Sequence, residues 1–116
     1  MAIQATQKGL IRGATIDVEE LLAHGTFNEQ QRQQVIGDCQ RILQILGEKV
    51  EAREPEPGET IQSLIKGINA MLDVADIEQR QLNAIEIPIV ADHAQGLLGF
   101  YKAEGREHQQ GDVQGT

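Results

Sequence analysis

Val35, Cys39, Ile42, Leu46 and Val50 follow one another at intervals of three or four residues, with Ile36, Leu43 and Ile45 widening the apolar side. That period places them on one face of a helix and rules out a half-buried strand there. A second stripe, Ile61, Leu64, Ile65, Ile68, Met71, Leu72 and Ala75, has the same period and could continue through Leu82, with Asp73 to Asp76 as a possible interruption. Between the two lies "EAREPEPGE", residues 51–59, where two prolines and a glycine cannot continue a helix and the acids keep the connection in water. Aromatic residues are only 3% of the 116, so the core must come from aliphatic side chains, which suits helix packed on helix.

The helix ends can be read in part. Thr26 or Asn28 can cap the second helix, and Glu29 lies three residues after Thr26. The third helix opens near Glu59 or Thr60. The first apolar segment, Ala2 to His24, contains Gly9 and Gly13, which weaken it enough to suggest two pieces. Its better-marked piece starts at Asp17, with Glu20 at capping-box spacing, and stops at His24-Gly25.

The fourth segment, "IEIPIVADHAQGLLGFY" at residues 85–101, is the most apolar. Alternation of Ile85, Ile87 and Ile89 allows a short strand over residues 84–90, but no other segment offers a partner strand. The helical reading either breaks before Pro88, which then stands in the first turn of a new helix, or kinks at Pro88. Steps of four from Ile85 give Ile89, His93, Leu97 and Tyr101, so His93 falls in line with the stripe, and a hydrogen bond to a carbonyl or carboxylate would hold it. Asp92 beside it would serve a cap or a salt contact. The chain therefore reads as all-α: a small antiparallel bundle of about four helices over residues 1–103, the last helix broken or kinked at Pro88, and a polar mobile tail over residues 104–116.

Apolar residues occur on most sides of the fourth segment, and such a helix must be covered on most sides. A second copy of the chain is the expected cover, with Ile89, Val90, Leu97, Leu98, Phe100 and Tyr101 as interface residues and Gly96 and Gly99 permitting close backbone approach. The sequence thus suggests a non-enzymatic, homo-oligomeric structural or adaptor module. The glutamine-rich side of the second helix, including Gln30, Gln33, Gln34, Gln40 and Gln44, reads as a solvated face.

Ten basic against eighteen acidic residues give a net charge of −8, which disfavours nucleic-acid backbone and anionic lipid as partners. An acidic inhibitor or chaperone of a basic protein is a further alternative. Cys39 is the single cysteine, so no internal disulfide forms; with no apolar leader before Lys8 and Arg12, a cytoplasmic location is expected. Catalytic residues and cofactors are not expected: Cys39 sits in an apolar stripe, Ser63 is the sole serine without a base beside it, and "GLIRG" and "GLLG" lack a phosphate-binding context. The sharpest chemical alternative is a ferritin-like metal site drawn from Glu20, His24, Glu86, Asp92 and His93, although no Glu-x-x-His motif occurs in either central helix.

Overall fold

A computed structural model describes residues 6–23 and 28–114, with side chains through Lys102. The chain forms four helices, α1 Gln7–Ala23, α2 Glu29–Leu46, α3 Ile61–Ile77 and α4 Glu86–Gln114, with no strand among the described residues. Helix α1 packs on α2 and α3, and α4 packs on the same two from the other side. Their inner faces close on one core that includes Ile11, Val18, Val35, Ile42, Leu64, Ile68, Leu72 and Leu98.

Each helix begins on a side-chain cap. Thr6 Oγ1 accepts from the Gly9 amide at 2.9 Å, so α1 starts a full ten residues before the expected start at Asp17. Gly9 and Gly13 do not divide it, because burial of Ile11, Ala14 and Val18 on the neighbouring helices outweighs their cost of roughly 1 kcal/mol each. Asn28 and Gln31 form a reciprocal capping box on α2, as do Thr60 and Ser63 on α3. Ser63 is thereby a capping residue. Asn83 and Glu86 make the same exchange ahead of α4: Asn83 Oδ1 accepts from the Glu86 amide at 2.9 Å, and Glu86 Oε1 accepts from the Asn83 amide at 3.0 Å.

The C-terminal stops lie earlier than the apolar stripes suggest. Helix α2 closes at Gly47, whose φ of 71° is left-handed, with Glu48 N–H returning to the Leu43 carbonyl. Val50 is therefore outside the helix. Helix α3 closes the same way on Gln79, φ 56°, with Arg80 N–H on the Ala75 carbonyl. Asp73 and Asp76 do not interrupt α3; they face α1, where Lys8 and Arg12 pair with them. The break before the last helix falls in residues 78–85, just ahead of Pro88, and Pro88 stands in the opening of α4 where its missing N–H would have served the exposed Ala84 turn. The helical backbone of α4 continues to Gln114, through residues that their composition assigns to a tail.

Side-chain pairings fix the helix directions. Gln7 Nε2, at the start of α1, donates to the Ile45 carbonyl, at the end of α2, so α1 and α2 are antiparallel. Lys8 meets Asp76 and Asn69 meets Glu19, so α1 and α3 are antiparallel. Leu64 lies under Gly96 and His93 over Gly67, so α3 and α4 are too. It follows that α2 and α3, on the diagonal, run the same way. The connection 47–60 must then climb the bundle rather than turn at its end, and it does so along α4 as an extended strap.

Candidate functional site

The strap explains why Asp92, His93, Gly96 and Gly99 are where they are. Arg53 N–H donates to the Gln95 carbonyl at 2.9 Å, and Gln95 Nε2 donates to the Lys49 carbonyl at 3.1 Å. The Arg53 guanidinium reaches Asp92 Oδ1 at 3.0 Å and both oxygens of Glu59 at 3.0 and 3.2 Å. Glu59 is itself presented by a turn through Pro57 and Gly58, φ 89°, closed by Glu59 N–H on the Glu56 carbonyl. Hydrogen bonding to Arg53, then to the Glu56 amide, holds the Glu59 carboxyl below its ordinary range, so it stays ionised against the guanidinium.

Beneath this clamp the strap backbone touches α4 at glycine. A Cβ on Gly99 would overlap the Arg53 carbonyl, and one on Gly96 would overlap the Arg53 guanidinium. The close approach read from these glycines is real, but its partner is the chain's own strap. Of the six residues assigned to an interface between copies, Val90, Leu97, Leu98 and Tyr101 are at most 1% exposed within the single chain. Cover for the apolar helix comes from α2, α3 and the strap together, and those four side chains have no face left for a partner. Ile89 is 37% exposed and Phe100 is half-buried.

The residues considered as metal ligands are spent separately. Glu86 is 7% exposed and is gripped by Arg80, Nη1 to Oε1 at 2.6 Å and Nη2 to Oε2 at 2.9 Å. That bond, with the Asn83 amide second, brings its carboxyl down to about 2. Asp92 belongs to Arg53. His93 contacts the Ile89 carbonyl through Nδ1 at 2.7 Å and lays its ring over Gly67, where a Cβ would collide with it. Glu20 is exposed on α1, and His24 lies outside the described residues. Among the described residues no three His, Cys, Asp or Glu side chains gather as a metal site. Burial, with the Asp38 charge second, pushes the Cys39 thiol up to about 12, far from a usable nucleophile.

The surface that stands out lies at the corner between α3 and α4. Ile77, in the last turn of α3, is 80% exposed, and Ile85, in the capping turn of α4, is 75% exposed. Val74 and Ile89, each one turn further along its helix from these two, are also exposed. The connection bearing them is braced by the Arg80–Glu86 pair, the Asn83 cap and buried Leu82, so the two isoleucines project from a fixed turn. Period alone does not mark Ile77 and Val74, because Leu72 and Ala75, their neighbours, satisfy the buried stripe of α3. No helix among the described residues is long and apolar enough to cross a membrane. Comparison of the chain with protein-family models, with curated proteins and with solved structures finds no match.

Proposed function

We propose that this chain is a non-enzymatic helical interaction module that associates with itself through the α3–α4 corner. The observation that carries the reading is the pair of isoleucines, Ile77 and Ile85, set three-quarters or more in water on a braced turn. Exposed branched aliphatics in isolation are ordinary, but Val74 and Ile77 at the end of α3 and Ile85 and Ile89 at the start of α4 flank one short connection, and association there would take them out of water. A closed C2 pairing presents this same patch from both copies, so the patch needs only to be self-complementary.

Light scattering of the purified chain tests this directly. The wild type is expected as a dimer or higher assembly, and Ile77→Glu with Ile85→Glu as a monomer with unchanged helical circular dichroism. A wild type that remains monomeric at high micromolar concentration overturns the reading, as does an assembly indifferent to the double substitution. Leu98→Glu is no substitute, since a charge at a fully buried position reports folding alone.

A further inference from the structure

Ion pairs fasten α1 to α3 near the start of α1, where Lys8 and Arg12 meet Asp73 and Asp76. Toward the other end of the same seam the two helices border a groove of about 160 Å³, lined by Glu19 of α1 and by Gln62, Ile65, Lys66 and Asn69 of α3. The four α3 positions have the spacing of one helix face, so that face supplies a whole wall. Ile65, almost wholly buried, is its apolar part. Asn69 is fixed from behind: Oδ1 accepts from Arg12 Nη1 at 2.9 Å and from Thr15 Oγ1 at 3.3 Å, and Nδ2 donates to Glu19 Oε1 at 2.7 Å. Glu19 is thus held at the groove by one oxygen. Among the described residues its Oε2 takes no hydrogen bond, and Lys66 enters no ion pair, with Glu19 or with any other acid.

A carboxylate and an ammonium that line one small groove without closing on each other offer opposite charges beside an apolar wall. We propose that this groove binds a small aliphatic zwitterion, a free α-amino acid of the leucine class, with its ammonium on Glu19 Oε2, its carboxylate on Lys66 and its side chain against Ile65. The amide of Asn69 positions Glu19 without neutralising it, so the carboxylate keeps its charge for the ligand. A ligand with only one charge satisfies one of the two groups and brings a like charge, or none, to the other, so the pair selects for both. Size sets the upper limit. Sites for drug-sized molecules begin at roughly 300 Å³, and a groove of half that takes an occupant of about ten non-hydrogen atoms or fewer. The site shares no residue with the α3–α4 corner, so it stands or falls independently of self-association.

Amide chemical shifts of the isotope-labelled full chain, followed while L-leucine is added at neutral pH, test the site. Saturable shifts are expected at the amides of Glu19, Lys66 and Asn69, with a dissociation constant of roughly millimolar order for so few atoms. Isoamylamine, which lacks the carboxylate, and isocaproate, which lacks the ammonium, should each bind about tenfold more weakly or worse, the value of one charge-assisted hydrogen bond. These two probes need no variant. Glu19→Gln and Lys66→Met, both at exposed positions, should each weaken leucine by about the same factor while the helical circular dichroism is unchanged. Amides that do not respond to leucine by about 50 mM overturn the proposal. So do fragments that bind as well as leucine, or leucine affinity that is indifferent to both substitutions.

Discussion

Gly99 and Gly13 are both glycines inside helices, and the structure assigns them opposite values. At Gly13 a side chain would meet nothing within 4 Å, so Gly13→Ala should stabilise the chain by about 0.5–1 kcal/mol through helix propensity and a less entropic unfolded state. At Gly99 the added methyl runs into the Arg53 carbonyl, with Pro55 Cδ also 3.1 Å away. Neither backbone can yield without lifting the strap. Gly99→Ala should therefore cost about 1–3 kcal/mol, the range for overpacking, despite alanine's better helix propensity. Chemical denaturation of both variants measures the contrast, and equal responses would mean that the strap does not bear on α4.

At the scale of elements, the strap behaves as an additional packing unit whose attachment is concentrated in one side chain. Arg53 joins it to α4 through Asp92 and to its own far end through Glu59, while the Arg53 backbone bonds to Gln95. Arg53→Ala leaves the backbone bond and removes both carboxylate partners, so a loss of about 1–2 kcal/mol is expected, discounted for partial exposure. Hydrogen exchange should localise the change, with the Arg53 amide and neighbouring strap exchanging faster while α1–α2 amides keep their relative protection. The period of the apolar residues made α2 and α3 legible, because it depends only on which face is buried. The ends were less legible: Gln31, Ser63 and Glu86 act as the second members of capping boxes, and two of these are not the usual Glu in that role. Reading Ile85, Ile89, His93, Leu97 and Tyr101 as one line also misplaced the exposed corner. Each step of four overshoots a turn by about 40°, so four steps rotate by about 160°, and Ile85 ends nearly opposite Tyr101. Thus Ile85 is in water and Tyr101 in the core. The cover over α4 could not be read at all, since an acidic, proline-bearing segment carries no apolar stripe and holds its place through glycine contacts and one arginine.

For the whole molecule, the parallel run of α2 and α3 on the bundle diagonal sets the minimum length of the chain between them. Helices of 17 and 18 residues extend about 25 Å, so a connection that leaves the end of α2 and enters the start of α3 must climb that distance. Residues 47–60, even partly extended, have reach to spare; a replacement of four residues spans at most roughly 17 Å. Such a loop suits only a hairpin in which α3 runs back along α2, and that arrangement would take α3 from its ion pairs with Lys8 and Arg12 and uncover Leu97 and Leu98 on α4. In the Ile77→Glu, Ile85→Glu background, where the corner no longer pairs copies, replacing the strap with a four-residue Gly/Ser loop should therefore abolish the native monomer fold. Two products are consistent with the topology: an unfolded chain, or an exchanged dimer in which the α1–α2 pair of one copy completes the α3–α4 pair of the other. Circular dichroism with light scattering distinguishes them, and a shortened chain that stays monomeric with native thermal stability would show that α2 and α3 do not share a direction.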